Sequence, residues 1–176
     1  MRIPQITILF ICCLLVGCWS PAVPPTDNEM IQHFYEHEQA FDQIKELISL
    51  CPEGSYYPPY FPDDTACLKG IPIPVQQKMD SLLAEIECER IFYFVTTEKT
   101  EHEENITYIG LSIPYFISGF SVGGTEKSFE CSTLPRKPFG IMETKELNDI
   151  YRKRYNDTIL YKSIKGDWFI TLLHDN

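Results

Sequence analysis

An apolar core of eleven residues, Ile6 to Val16 (ITILFICCLLV), stands behind a single arginine at the start of the chain and stops at Gly17-Cys18, with prolines at 21, 24 and 25 close behind. A helix that crosses a bilayer needs about twenty apolar residues, so this run is too short to span. Its length, the thin positive charge of Arg2 and the terminal amine, and the small residue before Cys18 are those of a cleavable export leader. Residues 1–17 are therefore expected to be removed, 18–25 to form a proline-stiffened tether, and 26–176 to fold. What remains after the leader is 159 residues, enough for one domain with a real core and too few for two.

Arg2 leaves with the leader and no acid does, so 25 acids face 14 bases in the remainder. That excess disfavours nucleic acid and anionic lipid surfaces as partners and is compatible with a basic protein partner. Cys12 and Cys13 also leave. Besides Cys18, four cysteines remain, and an even count in an oxidising compartment reads as two disulfides with three possible connectivities. Cys51 ends the first helical pattern and Cys67 lies in the loop after it, while Cys88 and Cys131 flank strands. The expected pairs are Cys51 with Cys67 and Cys88 with Cys131. No Cys-x-x-Cys or Cys/His cluster has the spacing of a structural zinc site.

Thr26-Asp27-Asn28-Glu29 fits a capping box, and Met30, Phe34, His37, Phe41, Ile44 and Ile48 recur on one face of the amphipathic helix that follows, up to Pro52. The next stretch, to Ile73, is rich in proline and carries Tyr56, Tyr57, Tyr60 and Phe61. It reads as a long loop, with these aromatics as a candidate partner surface. A second helix follows Pro74, through Val75, Met79, Leu82, Leu83 and Ile86. Strands are expected over Arg90–Thr97, Ile106–Ser112, Lys127–Thr133, Thr158–Ile164 and Asp167–Leu173, the last two joined by Lys165-Gly166. A short helix near Lys145–Arg154 holds the main concentration of positive charge. Helices first and strands afterwards predict an α+β fold, with the N-terminal helices on one face of a mainly antiparallel sheet of about five strands.

The one catalytic pattern is His33-Phe34-Tyr35-Glu36-His37, a formal H-x-x-E-H, in which two histidines hold zinc and the glutamate acts as base. On a helical wheel with Met30 at zero and about 100° per residue, His37 falls inside the apolar stripe and Glu36 lies about 120° away, toward solvent. A histidine at the edge of a core is the simpler reading, with a zinc hydrolase through His33, Glu36 and His37 as the lesser alternative. Ser118-Gly119 and Ser121-Val122-Gly123 lack the strand-turn-helix setting of a nucleophile, and Gly119–Gly124 lacks that of a phosphate loop. His102 and His174 read as solvated. No cofactor is expected.

Leu15-Val16-Gly17-Cys18 resembles the lipobox of bacterial lipoproteins, in which the cysteine becomes the first residue and its thiol carries a diacylglycerol. With the helix Glu29–Leu50, the segment Lys127-Ser128-Phe129 and the ending Ile164–Ile170, the chain looks like a small uncharacterised bacterial lipoprotein. The resemblance implies that Cys18 is acylated, with each buried methylene contributing about 0.8 kcal/mol to membrane attachment. Trp19 rather than aspartate after it implies the outer membrane, facing the periplasm. It carries no established activity. The expectation is a non-enzymatic binding or structural role on the bilayer, with an immunity or inhibitor lipoprotein that covers a toxin or hydrolase as the first alternative.

Overall fold

A computed structural model describes residues 23–50, 56–59, 70–99, 105–120, 123–133, 141–153 and 157–175. The elements run α1 (Asp27–Glu36), α2 (Glu38–Ile48), β1 (Tyr56–Tyr57), α3 (Ile73–Glu85), β2 (Ile91–Lys99), β3 (Asn105–Phe120), β4 (Gly123–Ser132), β5 (Ile141–Met142), α4 (Leu147–Tyr151), β6 (Thr158–Lys165) and β7 (Trp168–Asp175). Among the described residues they form an α+β fold around one seven-stranded sheet, ordered β1-β2-β3-β4-β7-β6-β5. Five strands are long. β1 and β5 are two-residue edge strands, and β5 alone pairs parallel, with β6. No helix among the described residues is long and apolar enough to cross a membrane.

The capping box forms as the sequence predicts: Thr26 Oγ1 accepts from the Glu29 amide at 3.2 Å, and the Glu29 carboxylate accepts from the Thr26 amide at 2.6 Å. The single predicted helix is two. His37 leaves helical geometry at φ −119°, ψ 19°, closing α1 through its amide to the His33 and Phe34 carbonyls and opening α2 through its own carbonyl, which accepts from Ala40 and Phe41. The apolar stripe survives the break, because Met30, Phe34, Phe41, Ile44 and Ile48 are all essentially inaccessible.

That stripe meets the sheet in an aromatic cluster. The Phe41 ring lies 4.7 Å from Phe129 on β4 and 5.4 Å from Trp168 on β7, and Phe34 lies 5.0 Å from Phe41. Register explains why these residues share a face: Phe129 pairs with Ile113 and Ile170, and Cys131 with Leu111 and Trp168, so alternate positions of three neighbouring strands point at the helices. β3 and β4 run longer than predicted. Pro114 masks the continuation because it cannot donate to a ladder, and it is accommodated beside a bulge at Tyr115, between the pairs Pro114–Ser128 and Phe116–Lys127. Gly119, at φ +130°, is needed where the hairpin closes, since a Cβ there would stand 2.5 Å from the Gly123 carbonyl oxygen.

Phe41→Ala removes the ring at the centre of this cluster and should cost about 3–5 kcal/mol in urea unfolding. Phe94→Ala, at a side chain 43% exposed, should cost much less.

Candidate functional site

The sequence-predicted candidates are not assembled into an active centre. His33 and His37 are close, with ring centroids 4.7 Å apart, but Glu36 is exposed and its carboxylate accepts from Gln32 at 2.8 Å. His33 Nε2 meets the Ile86 carbonyl at 2.9 Å, and a carbonyl can only accept, so that nitrogen carries the proton. Cys88 Sγ donates to the same oxygen at 3.3 Å. Ile86 is the C-cap of α3, followed by Glu87 at φ 54°, so His33 and Cys88 satisfy a carbonyl that the helix end leaves open. Among the described residues no three His, Cys, Asp or Glu side chains converge as a metal site.

Cys88 and Cys131 are free, buried thiols, which corrects the expected bridge between them. Cys131 lies on β4 and Cys88 just before β2, with β3 between those strands. Burial pushes the Cys88 thiol up to about 12 and the Cys131 thiol up to about 11, so neither is a nucleophile at neutral pH. Cys18, Cys51, Cys67, Tyr60 and Phe61 lie outside the described residues. Tyr57, predicted to offer contact area, is a core residue instead: it is 5% exposed and its single hydroxyl proton is shared between the Gln76 carbonyl, at 2.9 Å, and Asp80. The backbone of Tyr56 pairs with Phe92. His174 is not simply solvated, because its Nδ1 lies 2.9 Å from Thr125 Oγ1 and its ring 5.0 Å from Tyr151.

The feature that sequence reasoning missed is a buried ionic cluster where the chain enters the domain. Lys127 stands on the helix-facing side of β4, wholly buried, with Asp27, at the first turn of α1, wholly buried against it. Asp27 Oδ1 lies 2.6 Å from Lys127 Nζ, and Oδ2 lies 2.8 Å from Lys162 Nζ on β6 and accepts the Leu147 amide at 3.0 Å. Lys127 also donates to the Pro25 carbonyl at 2.7 Å and to Asn148 Oδ1 at 3.1 Å. Two of its protons have these acceptors, while its contact with Asp27 Oδ1 is an ion pair outside hydrogen-bond geometry, and that oxygen accepts no hydrogen bond. The Asn148 amide returns two bonds of 3.0 Å to the Pro24 and Pro25 carbonyls, and Glu146 accepts from the Asp27 amide at 3.0 Å and sits 3.7 Å from Lys127. Pro24 and Pro25, expected in a free tether, are thus gripped by α4 and β4.

Burial alone raises the Asp27 carboxyl, but its bonds to Lys127 and Lys162, the Lys127 charge and the Leu147 amide together outweigh it and hold it below its ordinary value of 3.8. Elsewhere, on the opposite face of the sheet, burial and the nearby Glu126 raise Glu130 despite a 2.6 Å bond from Thr171. Chemically, the cluster holds the Asp27 and Lys127 charges out of reach of solvent, with Lys162 and Glu146 partly exposed at its edge. It can position a chain segment.

Fold and cluster together define a class: a helix-covered, mainly antiparallel sheet whose N-terminal segment is clamped by a buried ionic clip. Residues 23–176 match the family described as Domain of unknown function (DUF4948), and the chain belongs to that family. No curated protein and no solved structure matches it.

Lys127→Met should cost about 3–5 kcal/mol, because it leaves the buried Asp27 Oδ1 without its cation and the Pro25 and Asn148 oxygens without their donor. Adding Asp27→Leu should recover most of that loss, a coupling that a double-mutant cycle in urea reads directly. A carboxyl lowered by folding contributes stability that is complete above its unfolded value of 3.8 and disappears as pH falls through the lower folded value. Stability of the parent should therefore fall steadily below about pH 4, and the fall should be shallower in the double variant.

Proposed function

We propose that the protein is a lipid-anchored component of the bacterial envelope, held through acylated Cys18 on the periplasmic face of the outer membrane, that works by binding rather than by catalysis. The observation that carries this reading is the spacing between Leu15-Val16-Gly17-Cys18 and the clip. Pro24, whose carbonyl Asn148 already holds, is only six positions after Cys18. A fully extended stretch of that length covers on the order of 20 Å. An acyl anchor at Cys18 then carries a domain held close to the bilayer, with its attached end fixed by the clip.

A second reading is favoured by the outer surface of α1 and α2. There Glu36, Glu38, Asp42 and Glu46 line a shallow groove beside Tyr35, which is 50% exposed. An aromatic framed by carboxylates suits a basic protein surface. This is the arrangement an immunity or inhibitor lipoprotein would use against a basic toxin or hydrolase. Crosslinking on intact membranes followed by capture separates the two readings: a basic partner in one-to-one ratio supports the inhibitor, and envelope scaffold components support the structural role.

Radiolabelled palmitate should enter the parent protein and should be lost from Cys18→Ser. The variant should move from the membrane fraction to the soluble periplasmic fraction. A parent chain that retains residues 1–17 and takes up no label contradicts the proposal.

A further inference from the structure

The long hairpin of β3 and β4 outruns its neighbour on one side. β2 pairs with β3 from Asn105 to Ser112, whereas β4 pairs with it from Gly110 to Phe120. Beyond Ile113, therefore, one edge of β3 has no strand beside it among the described residues. The β4 side of the hairpin is covered, because β7 follows it from Cys131 to Gly124. The outermost strands of the sheet, β1 and β5, are two residues each, too short to template another chain. Pro114 and the bulge at Tyr115 blunt the start of the overhang, and the Tyr115 ring turns in against His33 and Phe129, at 4.8 and 5.4 Å. From Phe116 onward the edge carries neither proline nor charge.

Its chemistry is unlike that of the rest of the chain. Ile117 is 63% exposed, the most exposed large apolar side chain on the described strands. No charged residue occurs between Glu104 and Glu126, the longest uncharged stretch beyond residue 26, in a chain of formal charge −10. Glu126 and Lys127, across the ladder from Ile117 and Phe116, are of opposite sign and lie one strand further in. Two copies of so acidic a chain repel over most of their surface, but at this edge they meet without bringing like charges together. The backbone agrees. The Ser118 carbonyl lies against Gly124 of β4, so by the alternation of a strand Ile117 and Gly119 turn their amides and carbonyls to the open side.

We propose that this overhang is a self-association surface, on which a second copy of the chain lays its own β3 antiparallel and joins the two sheets edge to edge. A two-fold axis at Ser118 sets Ile117 of each copy opposite Gly119 of the other, and each such pair exchanges both N–H···O bonds. The glycine has no side chain to obstruct the isoleucine. Both halves of the fit come from this one sequence, which is what favours a second copy over a foreign strand. The inference goes beyond the lipid-anchored reading and holds with or without acylation of Cys18.

The test uses the full-length chain purified in mild detergent. On the two-fold axis the two Ser118 Cα atoms face one another at about 4.5 Å, close enough for a disulfide. Ser118→Cys, oxidised with copper–phenanthroline, should therefore give a dimer whose bridge peptide mapping places at position 118. Ser163→Cys, exposed on β6 at the far side of the sheet, should not. Adding Ile117→Lys should lower the Ser118→Cys dimer yield roughly tenfold, because it puts a charge on the uncharged edge. In the unsubstituted chain, exchange at the Ile117 and Gly119 amides should slow as protein is raised from about 1 to about 100 μM. Exchange that is independent of concentration, bridging as frequent at position 163 as at 118, or a yield that Ile117→Lys leaves unchanged overturns the proposal.

Discussion

The ion pair between Asp27 and Lys127 is the interaction on which the arrangement of this domain depends. Removing two such charges from water costs several kcal/mol per ion even after relaxation. The cost is offset here because Lys127 donates to two acceptors beside its ion pair, and Asp27 is met by two ammonium groups and an amide. A packed apolar pair could be as stable. What a hydrophobic replacement lacks is direction: the clip fixes the first turn of α1, the middle of β4 and β6, the start of α4 and two carbonyls of the entering chain in one geometry. The aromatic cluster of Phe34, Phe41, Phe129 and Trp168 supplies the larger share of burial, and the clip aligns the elements around it.

Much of the fold was legible because local signals agreed with one another. The capping box at Thr26, the helical spacing from Met30 to Ile48 and the Lys165-Gly166 hairpin each appear where the residues place them. The break at His37 was not legible, since the apolar stripe is continuous across it and only the backbone turns aside. Pro114 hid the length of β3, because a proline argues against a strand unless a bulge receives it. β1 was invisible in a proline-rich stretch, where pairing with β2 rather than propensity makes the strand.

The site was less legible than the fold. Lys127 alternates with Thr125, Phe129 and Cys131, a period of two that puts it on the buried face, and a lysine there demands an acid. Nothing local points to Asp27, a hundred residues earlier, because in a capping box an aspartate in the first helical turn already has a satisfactory explanation. The H-x-x-E-H pattern misleads in the opposite sense: its spacing is right for zinc, but the α3 carbonyl at Ile86 takes the His33 proton donor and Glu36 faces water. The cysteine count likewise suggested a bridge between Cys88 and Cys131, and both are free thiols.

For a domain of this kind, the path from sequence to role runs through orientation. With Cys18 acylated as proposed, a short linker and the clip would confine the domain to one distance from its anchor, which decides what its exposed surfaces can reach. Hydrogen exchange at the Asp27 and Leu147 amides tests that rigidity most directly, because both donate only into the clip. The account predicts that these two amides exchange at the rate of global unfolding, together with the core strands. Exchange as fast as that of an exposed loop in the otherwise folded protein would contradict it.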